Sequence, residues 1–305
     1  MAEPEVPFAS VAIIGIGLIG SSVARAIRAH MPEVRVTAYD RDETVRARAR
    51  ELGFAEVFDT PCEAVAGVEM ILFCVPVGAM KEAALAIADC LPKKVIVSDV
   101  GSSKVAVAKA LREALPDATI VPAHPVAGTE NSGPDAGFAT LFRGRWCILT
   151  PKEGYAQANV DRVTGFWERL GAKVELMDAA HHDLVLAVTS HLPHLIAYTI
   201  VGTASDLEGV TQGEVIKYSA GGFRDFTRIA ASDPTMWRDV FLNNKEAVLD
   251  VLQRFTEDLA LLQRAIRWDD GATLFELFTR TRAIRRGIIE QGQDDARPDF
   301  GRTHD

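Results

Sequence analysis

Short β-branched runs alternate with helical stretches from Val11 to Met177, a pattern that predicts a parallel sheet with helices on both faces. The predicted strands are Val11 to Ile14, Val34 to Tyr39, Met70 to Val75, Val95 to Asp99, Thr119 to Ala123, Trp146 to Thr150 and Lys173 to Met177. After Asp178 the texture changes. His181 to Ser205 is apolar on nearly every side and predicts a buried helix at a domain or subunit interface. Val248, Leu252, Phe255, Leu259, Leu262 and Ile266 then recur at alternating spacings of four and three, and Leu274 to Ile289 continues as a second amphipathic helix. The reading is a doubly wound α/β domain over residues 1–178 followed by an all-α domain over 179–305, with the Asp-, Arg- and Gly-rich tail from Gln291 read as disordered.

Composition narrows the function. With 305 residues, 48% of them hydrophobic, the chain can bury a full core. A net charge of -9 argues against a nucleic-acid or membrane-surface binder, so any anionic ligand must be met by local cations. Cys62, Cys74, Cys90 and Cys147 are scattered without a C-x-x-C pair and read as buried thiols of a reducing compartment rather than as bridges or a zinc site. The acidic, proline-broken start shows no signal peptide, and the apolar runs read as far shorter than a membrane span. The expectation is a cytoplasmic protein.

Gly15-Ile16-Gly17-Leu18-Ile19-Gly20 follows the first strand and opens a helix. In such a turn one glycine makes the bend, one lets backbone approach a pyrophosphate, and one lets the helix pack against the strand. A second strand ends at Asp40, about twenty residues past the last glycine, where an acid can accept hydrogen bonds from an adenosine ribose. Glycines and acid together predict a Rossmann-type dinucleotide domain. Asp40 favours NAD over NADP by repelling a 2′-phosphate, although Arg41 could pair with that phosphate or stack on the adenine. Val75-Pro76-Val77-Gly78 and Ser98-Asp99-Val100-Gly101-Ser102-Ser103-Lys104 end two further strands and should face the same edge. At least one of Ser102 and Ser103 reads as a helix cap, while Ser102 could also line the nicotinamide end.

His124 opens the run His-Pro-Val-Ala-Gly-Thr-Glu-Asn-Ser-Gly at a predicted strand end, which is where open α/β sheets keep their ligands. On the next helix His182, Ser190 and His194 share one stripe if the helix stays regular, a condition that Pro193 strains. Polar groups on an apolar helix need partners, either a ligand or one another. No metal-binding spacing is present. Gly221-Gly222-Phe223-Arg224-Asp225-Phe226-Thr227-Arg228 offers forked donors for carboxylates, and its aromatic neighbours predict at least one partly buried arginine.

These elements in this order resemble the prephenate and arogenate dehydrogenases of tyrosine biosynthesis, from Val11 to about Glu290. The specific parts are the His124 to Gly133 run, Ser190-His-Leu-Pro-His194, and Gly221 to Arg228 with Asp233-Pro-Thr-Met-Trp237. The resemblance implies oxidation and decarboxylation of prephenate to 4-hydroxyphenylpyruvate, or of arogenate to tyrosine, with NAD or NADP. It implies that His124 accepts the substrate hydroxyl proton with Ser102 assisting, that Arg228 holds the side-chain carboxylate, and that Ser190 and His194 line the pocket. Trp237 falls near the site, in some relatives from the other subunit, and His182, Thr129, Glu130 and Asp225 fall on pocket-associated positions. A helical dimerisation domain, hence a homodimer, is implied as well.

Two other readings compete. A β-hydroxyacid dehydrogenase shares the two-domain plan but is expected to carry a lysine on the long helix, and none occurs between Lys173 and Lys217. A non-catalytic NAD-sensing dimer explains the glycine turn and the helical tail, yet gives His124 and Arg228 no reason to converge.

Overall fold

The computed structural model describes residues 6–129, 131–154, 156–211, 217 and 221–290. The chain forms two compact units, Met1–Val248 and Leu249–Asp305. Packing therefore divides later than the texture of the sequence, because the helices between Ala179 and Asn243 join the unit that holds the sheets.

Strands β1 (Ser10–Ile14), β2 (Arg35–Tyr39), β3 (Glu56–Val57), β4 (Met70–Phe73), β5 (Ile96–Asp99) and β6 (Thr119–Ile120) form one sheet in the order β3-β2-β1-β4-β5-β6. Every pairing in it is parallel. Central β4 is buried along its whole length, as a strand covered on both faces must be. The order reverses between β1 and β4, so the crevice beyond their carboxyl ends is the ligand position of a doubly wound sheet. Helices α1 (Leu18–His30), α2 (Glu43–Leu52), α3 (Pro61–Val65), α4 (Met80–Leu85) and α5 (Lys104–Ala114) connect these strands.

The expected run Thr119 to Ala123 is not one strand. It ends in the first sheet at Ile120, and Ala123–Pro125 begins β7 of a second sheet with β8 (Trp146–Leu149) and β9 (Lys173–Leu176), ordered β7-β8-β9. Pro122 explains the break: it has no N–H to extend a ladder, and its carbonyl accepts from Thr150 N at 2.9 Å on the β8 side. The end of the fifth predicted strand and the last two predicted strands thus make a separate mixed sheet, with β7 antiparallel and β9 parallel to β8. Helix α6 (Gln157–Arg169) buries Val160, Val163, Phe166 and Trp167 in the core on that side.

Beyond β9, α7 (Ala179–Leu186) passes through a π turn (Ala187–His191) into α8 (Leu192–Thr211). Pro193 cannot supply an N–H to the turn before it, which is a recognised cause of such a bulge. The described stretch Ala179–Leu207 is long and apolar enough, at a mean hydropathy of 1.6, to cross a membrane by length and composition. This corrects the sequence reading of its apolar runs: interspersed His, Ser and Thr interrupt each run without lowering the average much. It also keeps Leu184, Val188, Ile200, Val201 and Leu207 exposed, so the expected buried helix is only partly covered within one chain.

Cysteine pairing is a second correction. Cys62 and Cys90 form a disulfide, while Cys74 and Cys147 are free. The capped start of α3 and the short 3-10 turn Ala88–Cys90 bring the two Cα atoms to 5.7 Å, a proximity that scattered spacing conceals.

Helices α9 (Gly221–Thr227) and α10 (Pro234–Asn243) complete the first unit, and α11 (Lys245–Arg267) runs out of it. In the second unit the α11 residues from Leu249 onward, α12 (Gly271–Glu290) and the turn between them expose Leu259, Ile266, Trp268, Phe275 and Phe278. The tail from Gln291 lies outside the described residues.

Candidate active site

The break at Pro122 leaves the backbone of Ala123 facing the first sheet without a strand partner, and two buried side chains take the place of one. Asp99, at the end of β5, accepts from Ala123 N at 3.3 Å and from Gly101 N at 2.7 Å. Lys104, in the first turn of α5, donates to the Ala123 carbonyl at 2.5 Å and is ion-paired with Asp99. Both side chains are fully buried. Burial draws the Lys104 ammonium below its ordinary range, with Asp99 opposing that shift most strongly. The pair fixes the residue immediately before His124.

His124 lies within β7 opposite Ile148 rather than leaving a strand end, and it is buried. Its Nδ1 is 2.8 Å from Nε2 of His182, and Nδ1 of His182 is 2.8 Å from Oδ1 of Asp183. Asp183 also accepts from Lys104 N at 2.6 Å and Val105 N at 3.0 Å, so it caps α5 from a different helix. This corrects the expected serine cap: Ser103 holds the N-cap position without a capping bond and its Oγ is buried and unpartnered, while Ser102 is half-buried. Asn244 donates to the Asp183 carbonyl at 2.7 Å and is 3.0 Å from His191 Nδ1. Burial lowers the pKa of His124 well below the ordinary imidazole range, helped by the neighbouring His182, Lys104 and His191.

His194 forms a second centre. Its Nδ1–H donates to the Ser190 carbonyl at 2.8 Å, and its ring stacks on Trp237 with centroids 3.6 Å apart. Burial lowers its pKa, the bond to Ser190 opposes that, and Arg228 is close enough to lower it further. Trp237 is buried within the same chain beside Val77 and Met80, with its indole N–H unpartnered. The π turn separates His182 from His194, so the regular stripe expected from spacing does not form. His191 is fully buried.

The three glycines of the turn have different surroundings. Gly15 has φ +101°, and a Cβ there would lie 2.8 Å from the Cys74 backbone. At Gly20 a Cβ would meet the Gly15 carbonyl oxygen at 2.1 Å, whereas at Gly17 it would meet nothing within 4 Å. That open approach faces the N-terminus of α1, where Gly17 offers no side-chain cap and the first turn has no acid. Free N–H groups and the helix dipole suit a phosphate there. Asp40 accepts from Ile16 N at 2.7 Å and Asp42 N at 3.0 Å, tying the end of β2 to the turn. Half-buried Leu18, Ile19 and Val75 flank this edge beside exposed Pro76 and Arg41. These residues fit a dinucleotide.

Other expected residues are not gathered in. Thr129 is exposed and accepts from Asn131 N at 3.2 Å, Asp225 is exposed on α9, and Glu130 lies outside the described residues. Arg224 and Arg228 are both exposed in the single chain, which corrects the expectation of a partly buried arginine: neither short α9 nor the 3-10 turn Arg228–Ala231 after it has a buried residue. Sequence reasoning missed Asp99, Lys104, Asp183 and Asn244. Only the adjacency of His182 and Asp183 offered a signal.

Two family models cover the chain: the nucleotide-binding domain of prephenate dehydrogenase over residues 23–176 and its dimerization domain over residues 178–280. The chain belongs to the prephenate dehydrogenase family. It is 47% identical over 292 residues to a cyclohexadienyl dehydrogenase of Zymomonas mobilis, covering 95% of this chain and 99% of that one. The crystal structure of A. aeolicus prephenate dehydrogenase with hydroxyphenyl propionate and NAD+ superposes with a TM-score of 0.86 at 32% identity, over 94% of this chain and 100% of that one. Synechocystis arogenate dehydrogenase superposes with a TM-score of 0.76 at 25% identity, covering 91% of this chain and 99% of that one. Membership in this family sets aside the β-hydroxyacid and non-catalytic readings.

Proposed function

We propose that this chain oxidises and decarboxylates prephenate to 4-hydroxyphenylpyruvate, or arogenate to tyrosine, with His124 as the acceptor for the ring hydroxyl proton. The carrying observation is a buried imidazole kept neutral at the join of the two sheets, in a chain whose turn and acid fit a dinucleotide. Bound NAD supplies the hydride acceptor. Gly17 and the α1 N-terminus would hold the pyrophosphate, Asp40 the adenosine ribose, and the β4 and β5 loops with Val75, Pro76 and Ser102 the nicotinamide end.

As hydride leaves C4 of the ring, the hydroxyl on C4 acidifies and shares its proton with His124. Loss of CO2 from C1 then returns an electron pair to the ring, which becomes aromatic, and the oxygen takes its proton back. Assistance of this kind accelerates a step by about 10²- to 10⁴-fold. Arg228 would pair with the side-chain carboxylate, beside His194 and Ser190. Pocket roles for Trp237, Thr129, Glu130 and Asp225 rest on their motif positions. The name of the Z. mobilis relative denotes the ring that prephenate and arogenate share. Exposed apolar residues along α7 and α8, together with the dimerization-domain match, support a homodimer. Kinship with biosynthetic enzymes supports a cytoplasmic location.

The test is NADH absorbance on mixing the protein with NAD and each substrate in turn, repeated with NADP. Reduction with either substrate is expected. A folded protein that binds NAD yet reduces it with neither substrate refutes the proposal.

A further inference from the structure

We propose that Asp183 and His182 are positioning residues that hold His124 in a single tautomer, with the proton on Nδ1 and Nε2 left as the acceptor. The inference rests on the reading of His124 as the proton acceptor and explains how that role is enforced. Asp183, as a carboxylate, has only lone pairs to offer. Its Oδ1 lies 2.8 Å from His182 Nδ1, so that nitrogen bears the proton. A neutral imidazole has one, which leaves His182 Nε2 bare. His124 Nδ1 lies 2.8 Å from that bare nitrogen and must therefore be the donor. The remaining nitrogen of His124, Nε2, is an acceptor by subtraction.

Neutrality of both rings completes the deduction. His124 faces His182, Lys104 and His191, with Asp99 and Cys147 close by across the strands. His182 faces Asp183, Lys104, Asp99, His124 and His191. Burial is the leading cause in each and favours the uncharged ring. When the substrate hydroxyl shares its proton with Nε2, His124 Nδ1–H stays on His182 and His182 Nδ1–H stays on Asp183. No proton in the chain has to move. The growing positive charge on His124 is met through two fixed hydrogen bonds by a carboxylate anchored to the start of α5.

The decisive experiment is ¹⁵N–¹H NMR of the imidazoles in the full-length wild-type protein near pH 7.5, assigned with His124→Asn and His182→Gln. The expected spectrum has Nδ1 protonated in both His124 and His182. A His124 protonated on Nε2 overturns the proposal. Steady-state kinetics supply a second reading. Asp183→Asn lets an amide donate to His182 Nδ1 and reverses both tautomers, so kcat should fall about 10²- to 10⁴-fold with NAD affinity kept, as a wrong tautomer does in a serine-protease triad. His182→Gln still offers an oxygen to His124 Nδ1–H and should keep kcat within about tenfold, whereas His182→Leu should lose at least about 100-fold. Wild-type kcat in His182→Leu also overturns the proposal. The NMR reading needs no turnover, so an inactive wild-type protein with the expected tautomers would refute the proposed activity and leave the arrangement standing.

Discussion

Lys104 donates from the first turn of α5 to the carbonyl of Ala123 at 2.5 Å, so a buried ammonium group occupies the place where a neighbouring strand would otherwise bond. With Asp99 on the adjacent N–H, it closes the gap between two sheets directly in front of His124. Removing one member of a buried ion pair leaves the other charge uncompensated, at a cost of about 3–5 kcal/mol. Lys104→Met should therefore lower the free energy of urea unfolding by about that amount. Wild-type stability would deny the pair this role.

Replacing His124 with Asn removes the basic ring nitrogen while keeping a polar side chain of similar reach. A fall in kcat of about 10²- to 10⁴-fold is expected, with the Kd for NAD within about threefold of wild type. Stopped-flow NADH formation checks the first and fluorescence titration the second. Unchanged turnover would remove His124 from the chemistry.

Arg228→Ala should act chiefly on KM. A charge-assisted bond to a carboxylate is worth about 1.5–3 kcal/mol in ground and transition states alike, so KM should rise about 10- to 100-fold while kcat changes little. A selective loss of kcat would reassign the arginine.

Gly17 and Gly20 separate binding from folding. A methyl at Gly17 enters open space, so Gly17→Ala should melt within about 1 kcal/mol of wild type yet bind NAD at least about tenfold more weakly. At Gly20 the methyl collides with the Gly15 carbonyl, so Gly20→Ala should lose about 1–3 kcal/mol of stability or more. Calorimetry and thermal melts on both variants distinguish these outcomes.

Stability should fall with acid. Burial lowers the pKa values of His124, His182, His191 and His194 in the fold, His191 to about 4. An unfolded histidine titrates near 6.5, so below that pH the unfolded chain binds more protons than the folded one. The stability held above about pH 6.5 is lost as pH drops toward 4, by at most about 1.4 kcal/mol per unit for each histidine. Melting at pH 5.5 should therefore come several degrees below melting at pH 7.5, and an unchanged midpoint would contradict the depressed values.

The glycine turn and its acid were legible because they are local: three glycines and Asp40 act through the backbone of one β-α-β unit. Strand positions were legible through short apolar runs. The split after Ile120 was not, since a lone proline does not say whether a chain bends, ends or changes sheets. Cys62 and Cys90 were likewise unreadable, because 28 residues separate two side chains that only packing brings together.

By itself the sequence determined a doubly wound domain, a helical continuation, a dinucleotide turn and His124 as the candidate for chemistry, all carried by short-range pattern and motif. Tertiary structure alone decided what His124 can do. His182 lies 58 residues along the chain from it, and Lys104 and Asp183 are 79 residues apart. The hydrogen bonds that set a proton on one nitrogen rather than the other depend on distances of less than 3 Å, which chain order does not encode locally and the packing of α5, β7 and α7 fixes.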